Sequence, residues 1–205
     1  MTAGLLVTGV VAMFVANTPV LINAIIGNSI LFFGLIIAEL ALVWILSASL
    51  PKLDPMVATM MFMGYAALNG VTLSVIFLAY TAASIASTFF ITAGTFGAMS
   101  AYGYFTKRDL SGWGNFLFMA LIGLILASVV NIFLASSTLY WIVTFAGVLI
   151  FVALTAYDTQ KIKHMIAQAR DERSQGQIAV YGALNLYLDF INLFLFLLRL
   201  LGNRR

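Results

Sequence analysis

Two acidic side chains stand in parts of the chain that are otherwise apolar: Asp158 follows Ala156-Tyr157, and Asp189 follows Tyr187-Leu188. A carboxylate surrounded by hydrocarbon is unstable unless it is paired, protonated or hydrated, so an intramembrane Asp indicates a functional site. Two carboxyl groups close together in such surroundings cannot both ionise easily. They are expected to share one proton and to titrate as a coupled pair.

Other polar residues accompany this pair. Glu39 is a third acid within an apolar segment, and it is interpreted either as part of an ion path or as a protonated group that bonds a neighbouring helix. Near Asp189, helical spacing puts a polar stripe within about 80° of one face. Lipid cannot satisfy such side chains, so the helix should be central, although its asparagines could simply join helices. The stripe contains Tyr181, Asn185, Asp189, Asn192 and Arg199.

The composition is that of an integral membrane protein. Of 205 residues, 63% are hydrophobic and 8% are charged, and the mean hydropathy is +1.07. A soluble globule could not cover so much apolar surface with so little charge. The chain has no Cys and a single His, which argues against disulfides, thiol chemistry and most metalloenzyme sites.

Apolar stretches long enough to cross a membrane predict an all-α bundle of seven helices, which form one transmembrane domain over residues 1–205. Their continuous apolar character argues against a β-barrel. The first helix is short, and we expect its upstream part to lie outside this chain. The predicted ranges are 2–16, 30–50, 56–79, 83–105, 115–134, 139–160 and 178–201.

Only the connection before the seventh helix is long. Residues 160–173 include good helix formers and no Gly or Pro, so the sixth helix is predicted to continue through them, with a turn at residues 174–177. Asp158 and Asp189 are equally far from that turn. In an antiparallel hairpin both would lie roughly 23 Å from it, at the same depth.

The basic residues indicate how the chain is oriented. They follow the second, fourth and sixth helices, whereas none follows the first, third or fifth. The positive-inside rule therefore predicts a cytoplasmic amino terminus. Arg204 and Arg205 follow the seventh helix, so this helix either crosses against the rule or bends back. The basic segment 161–173 is interpreted as facing lipid headgroups or, alternatively, a partner protein.

Two segments at the carboxyl-terminal end carry a family resemblance. Residues 156–163, Ala-Tyr-Asp-Thr-Gln-Lys-Ile-Lys, and residues 184–194, Leu-Asn-Leu-Tyr-Leu-Asp-Phe-Ile-Asn-Leu-Phe, resemble the signature of the Bax inhibitor-1 family, also called the transmembrane Bax inhibitor motif family. Residues 33–38 and 103–112 are similar to its bacterial inner-membrane branch. The likeness covers nearly the whole chain.

The resemblance implies seven helices with the seventh surrounded by the others, and a pH-sensitive calcium leak across the bacterial inner membrane. It implies that Asp158 and Asp189 form a pH sensor and that Glu39 lies in the ion route. From their place on the polar stripe, Asn185, Asn192 and Arg199 are further candidates for the ion path. No resident cofactor is expected. In relatives an Arg near the end of the second helix latches onto the sensor, whereas Leu50-Pro51-Lys52 stands here, so Lys52 is only a weak candidate.

Calcium ions prefer several hard oxygen ligands. Asp158, Asp189 and Glu39 with one Asn would supply only a sparse set of oxygen ligands, which suits transient passage better than storage.

Two other functions remain open. One is a non-transporting regulator that binds another membrane protein, such as a protease or a cell-death factor. The other is an intramembrane aspartyl protease, but Leu186-Tyr187-Leu188-Asp189 stands where those enzymes have Gly-x-Gly-Asp, so we expect no enzyme.

Overall fold

The computed structural model describes residues 1–205 and is built of helices without any strand, which confirms the all-α prediction. Most predicted ranges agree with observed helices to within a few residues at their ends. The nine helices are α1 Thr2–Ala16, α2 Pro19–Gly27, α3 Ser29–Ser49, α4 Pro55–Leu73, α5 Ile76–Ala79, α6 Ala82–Phe105, α7 Trp113–Leu134, α8 Ser137–Ala167 and α9 Glu172–Leu201.

Six spans are long and apolar enough to cross a membrane, namely α3, α4 with α5, α6, α7, α8 and α9. The pair α1 and α2 is bent by 90° and is a candidate seventh span. The short α2 was not predicted from the sequence. Its bend has a local cause, because Thr18 precedes Pro19 and takes an extended conformation, with φ −108° and ψ 99°, as residues before proline tend to do.

The chain divides into two compact units. The first contains residues 1–82, 168–187 and 204–205, and the second contains residues 83–167 and 188–203. Helix α9 contributes its first part to one unit and its second part to the other. The prediction of a single domain over residues 1–205 stays a prediction.

In the first unit, α9 packs against α1 and α4. The Tyr187 side chain is fully buried, its ring contacts those of Phe62 and Tyr65, and its hydroxyl lies 2.7 Å from Thr8 Oγ1. Gly70 allows α1 and α4 to approach closely, since a Cβ there would lie 2.7 Å from the Thr8 carbonyl oxygen. Half of the residues in the most apolar 18-residue stretch of α9 are buried, which is a larger share than in any of the other five spans.

In the second unit, α6, α8 and α9 pack through small residues and aromatic rings. A Cβ on Gly103 of α6 would overlap the backbone of Ala156 in α8. The Phe190 ring of α9 contacts the rings of Phe89 and Phe96 at centroid distances of 5.5 and 5.4 Å. These contacts hold the second parts of α8 and α9 in fixed register with α6.

The predicted turn at residues 174–177 is wrong. Helix α8 ends at Ala167 and α9 begins at Glu172, so the connection is residues 168–171. The Asp171 carboxylate accepts a hydrogen bond from the Ser174 backbone N–H at 2.7 Å, which starts the helix earlier than expected. Gly176 serves close packing instead of a turn, since a Cβ there would lie 2.8 Å from Pro55 Cγ.

The contacts at the two ends of α9 favour a helix that crosses the membrane over one that bends back. Near its start, Gln177 Nε2 donates to the carbonyl oxygens of Pro51 and Leu53 at 3.2 and 2.8 Å. Beyond its end, the Arg205 backbone N–H donates to the Ala79 carbonyl oxygen at 3.1 Å. The loop at Pro51 and the carbonyl of Ala79 lie at opposite ends of the span Pro55–Ala79. The carboxyl terminus and the loop that contains Lys52 therefore lie at opposite ends of this candidate span.

Candidate functional site

The side chains of Asp158 in α8 and Asp189 in α9 are hydrogen-bonded to each other. Asp189 is buried, with 5% of its surface exposed, and Asp158 is half-buried. An ionised carboxylate can only accept hydrogen bonds, so in this arrangement one of the two groups carries a proton. The structure thus brings together the two acids that the sequence singles out.

The reason that the two acids meet differs from the predicted one. Asp158 lies nine residues before the end of α8 and Asp189 lies seventeen residues after the start of α9, roughly 14 and 26 Å along the two helix axes. They are therefore not symmetric about the connection. Their register is set by packing within the second unit instead, where the Phe151 and Phe196 rings of α8 and α9 stack at 5.8 Å.

Charge around the pair comes mainly from Lys161, which interacts electrostatically with Asp158 from one turn further along α8. With one shared proton, the pair has a single negative charge beside this ammonium group. Without that proton, two negative charges face one positive charge in a medium of low dielectric constant. In addition, Asp189 Oδ2 is buried and has no hydrogen-bond partner. The pair therefore lies beside one positive charge and has one buried oxygen without a partner.

Gln160, two residues after Asp158, was not singled out from the sequence and has a positioning role. Its Nε2 donates to the Arg108 carbonyl oxygen and its Oε1 accepts from the Leu110 backbone N–H, each at 2.8 Å. One buried amide thus ties α8 to the connection between α6 and α7. The signal in the sequence was a Gln at the end of the apolar stretch 139–160.

Glu39 belongs to the first unit. Thr72 Oγ1 of α4 donates a hydrogen bond to its carboxylate, and Tyr65 and Asn69 of α4 hydrogen-bond to each other. Asn69 Oδ1 is buried without a partner. These three α4 residues were missed, although their spacing of four and three residues puts them on one helix face. Polar side chains at that spacing in an apolar helix were the available signal.

The remaining candidates on α9 have local contacts. Asn185 is half-buried, and Asn192 Nδ2 donates to the Leu188 carbonyl oxygen of its own helix at 2.8 Å. The Arg199 guanidinium lies over the rings of Tyr140 and Phe196 at 5.2 and 5.3 Å, a cation–π arrangement. The ion-path role of these residues stays a prediction.

No group of three or more His, Cys, Asp or Glu side chains is arranged to hold a metal ion. Asp158, Asp189 and Glu39 are therefore not gathered into one coordination sphere of the kind that stores Ca2+. Transient contact of an ion with these acids in turn stays a prediction. Lys52, the weak latch candidate, lies exposed in the connection between α3 and α4.

The fold and the site together define a multi-pass helical membrane protein with a buried carboxyl pair. The chain belongs to the Bax inhibitor-1 family, since the family model described as "Inhibitor of apoptosis-promoting Bax1" matches residues 1–205. It is 60% identical over 207 residues to inner membrane protein YbhL of Escherichia coli K12, across 100% of this chain and 88% of that protein.

More distant relatives match over the same extent. An uncharacterized protein of Borreliella burgdorferi is 47% identical over 206 residues, across 100% of this chain and 89% of the relative. Another uncharacterized protein, from Rickettsia prowazekii, is 44% identical over 207 residues, across 100% of this chain and 86% of the relative. The apolar spans and the similarity to an inner membrane protein confirm the expected multi-pass, inner-membrane location.

Proposed function

We propose that this protein is a pH-sensitive leak pathway for calcium ions in which Asp158 and Asp189 are the pH sensor. The observation that carries the proposal is the hydrogen bond between these two carboxyl groups at a buried position. A buried pair that shares one proton has two states of different charge. Membership of the Bax inhibitor-1 family supports the assignment.

The mechanism begins with the shared proton. In the protonated state the pair joins α8 to α9 within the second unit. When the proton leaves, two unit charges about 4 Å apart repel each other by about 4 kcal/mol at an effective dielectric constant near 20. The carboxylates then separate or admit a cation. Either response changes the interior of the protein without any chemical conversion of a substrate.

Glu39 supplies a further oxygen for a passing ion in the first unit. Its carboxylate is held by Thr72, and the Asn69 amide oxygen on the same α4 face has no partner. Together these groups offer fewer oxygens than the six to eight that Ca2+ takes in a tight site. A sparse set favours an ion that remains partly hydrated and moves on.

Calcium entry into liposomes containing the purified protein tests the proposal. Wild type is compared with Asp158→Asn and Asp189→Asn from acidic to mildly alkaline pH. Asn keeps the size and the hydrogen bonding of Asp but cannot titrate, so we expect the flux of both variants to lose its pH dependence. Asp109→Asn, at an exposed acid in the connection after α6, is the matched control and should follow wild type. An Asp189→Asn protein with the wild-type pH profile would contradict the proposal.

The close carboxyl pair also fits a rival function, since two carboxyls that share a proton can activate water in an aspartyl protease. Cleavage of helical peptides by wild type, but not by Asp189→Asn, would support that rival. We expect no cleavage. A regulator without transport would instead show no flux in pure liposomes and would retain a stoichiometric membrane-protein partner on purification.

A further inference from the structure

An open groove lies between α6, α7 and α8 within the second unit. It is lined mostly by apolar and aromatic side chains, of which Tyr102 and Trp113 are 45% and 54% exposed. The helices around it are candidate membrane spans, so the open side of the groove faces lipid in a bilayer. The lining residues include Met99, Tyr102, Leu110, Trp113, Ala153 and Tyr157.

Close contacts on both sides of α8 keep this groove open. A Cβ on Gly114 of α7 would overlap the Tyr157 hydroxyl oxygen, and a Cβ on Gly103 of α6 would overlap the Ala156 carbonyl oxygen. Even glycine leaves no further room at these two points, so α8 cannot move closer to either neighbour. The groove is therefore a fixed feature of the packing and not a gap that the helices can close.

One end of the groove lies at the connection between α6 and α7. Leu110 of this connection lines the groove, and its backbone N–H donates to Gln160 Oε1 at 2.8 Å. Gln160 Nε2 also donates to the Arg108 carbonyl oxygen at 2.8 Å. Met99 and Ala153 lie further from this end, because α6 runs toward the connection and α8 runs toward Gln160. The groove thus extends from the end of the spans into their apolar part.

Positive charge is concentrated at the same end. Lys107 and Arg108 are exposed in the connection. On α8, the Lys161 ammonium lies 5.9 Å from the centre of the Tyr157 ring, and this ring lines the groove. Lys163, two residues further along α8, is also exposed. Four basic side chains therefore belong to the two segments that form this end.

Fewer acids stand in these two segments, and each of them already has a partner. The Asp109 carboxylate accepts a hydrogen bond from the Ser111 backbone N–H at 2.9 Å. Asp158 interacts with Lys161 and is hydrogen-bonded to Asp189. Positive charge thus exceeds negative charge at this end of the groove, and it attracts an anion at the level where the spans end.

We propose that the groove binds one anionic phospholipid, with an acyl chain along Met99 and Ala153 and with its phosphate beside Lys107, Arg108 and Lys161. An apolar groove that faces lipid and ends in excess positive charge fits an amphiphile of this kind, and basic pockets between transmembrane helices bind such headgroups. A second copy of the chain, docked in the same orientation, would bring its own basic residues to this end, where like charges repel. The inference does not depend on the proposed calcium leak.

Native mass spectrometry of the purified full chain in detergent tests the headgroup. The protein is titrated with phosphatidylglycerol and, separately, with phosphatidylethanolamine that carries the same acyl chains. We expect wild type to bind one phosphatidylglycerol roughly tenfold more tightly than phosphatidylethanolamine. Lys107→Gln and Arg108→Gln should each weaken phosphatidylglycerol binding about fivefold. Arg170→Gln is the matched control, because it removes the same charge at an exposed position outside the second unit, and it should behave as wild type.

Filling the groove tests where the acyl chain lies. Ala153→Phe places a large side chain in the proposed path of the chain, so we expect the affinity for phosphatidylglycerol to fall about tenfold or more. Ala98→Phe is the matched control, because Ala98 is exposed on α6 and does not line the groove, and it should behave as wild type. Met99→Trp fills the same space from α6 and is measured alongside, so that a folding defect of one variant does not decide the result.

Three results would overturn the proposal. Equal binding of the two phospholipids to wild type would show that the basic residues do not select an anionic headgroup. Wild-type affinity in both Ala153→Phe and Met99→Trp would show that the lipid does not lie in the groove. A dimer that these two variants abolish, in place of a bound lipid, would assign the groove to a second copy of the chain.

Discussion

Gly103 shows at the scale of one residue how the carboxyl pair is brought together. A Cβ at this position would overlap the Ala156 backbone, and Ala156 precedes Asp158 by only two residues. The lack of a side chain therefore allows α6 to lie directly on the part of α8 that carries the acid. Backbone atoms cannot move aside as a flexible side chain can.

We predict that Gly103→Ala destabilises the protein by about 1–3 kcal/mol, the usual range for overpacking. Thermal unfolding in detergent should show a lower midpoint for this variant. Gly97→Ala on the same helix is the control, because a Cβ there meets nothing within 4 Å, and it should unfold at or above the wild-type midpoint. Equal midpoints for the two variants would mean that the close contact does not matter.

Single residues differ in how visible their role is in the sequence. Asp158 and Asp189 could be identified because a charge in an apolar segment requires a special explanation. Tyr65, Asn69 and Ser100 were missed, since a hydroxyl or amide in a membrane helix is often satisfied by its own backbone or by a neighbouring helix. Only coordinates show that the Ser100 hydroxyl lacks this ordinary partner.

At the scale of elements, the connection between α8 and α9 is controlled by Asp171. Its carboxylate accepts from the Ser174 backbone N–H at 2.7 Å. That hydrogen bond lowers the pKa of Asp171, with smaller contributions from the Ser174 hydroxyl and the Arg173 charge. A lowered pKa means that the cap stabilises the start of α9 fully above the ordinary Asp pKa and is lost as pH falls through the lowered value.

We therefore predict that the Ser174 amide exchanges slowly at neutral pH and loses protection only below about pH 4, near the ordinary Asp pKa. Hydrogen exchange corrected for intrinsic rates measures this. Asp171→Ala should lack the protection at every pH, whereas Asp171→Asn, which cannot titrate, should show weaker protection without pH dependence. Amides in the middle of α8 serve as the internal reference. If the Ser174 amide is protected as well in Asp171→Ala as in wild type, the Asp171 carboxylate does not cap α9.

The predicted helices were accurate where an apolar run defined them and inaccurate where a local contact did. Helices α3, α6 and α7 agree with the predicted ranges because hydrocarbon requires continuous helix, whereas the predicted helix 56–79 is divided into α4 and α5 at residues 74–75. The start of α9 was misplaced because residues 174–177 look like a turn in composition. In the structure Gly176 packs on Pro55 instead, a contact between residues far apart in the chain.

At the scale of the whole molecule, the contacts of α9 decide its topology. Gln177 bonds the loop at Pro51 and Leu53, and Arg205 bonds Ala79 at the far end of the span Pro55–Ala79. The positive-inside rule predicts that Lys52 lies on the cytoplasmic side, so we predict that the terminal arginines lie on the opposite side of the membrane. This predicted placement runs against the positive-inside bias, and the contacts at both ends of α9 are what favour it.

The chain has no cysteine, so single cysteines can report the side on which each end lies. We predict that Arg205→Cys reacts with a membrane-impermeant maleimide in intact spheroplasts, whereas Lys52→Cys reacts only after the membrane is permeabilised. Both positions are exposed to solvent in the structure, so accessibility within the fold does not limit labelling. Equal labelling of both variants from one side would show that α9 bends back.

The sequence by itself determined the environment, the helical class, the family resemblance and the identity of the two acids. These follow from composition and from the large cost of a charge in hydrocarbon, which leave few alternatives for a chain this apolar. Only the tertiary structure decided that the two ends of α9 lie at opposite ends of the span Pro55–Ala79, and that Asp158 meets Asp189 through packing and not through symmetry about a turn. Such results depend on contacts like those of Gly103 with Ala156 and Gln177 with Pro51. Contacts between distant residues leave no periodic pattern in the chain.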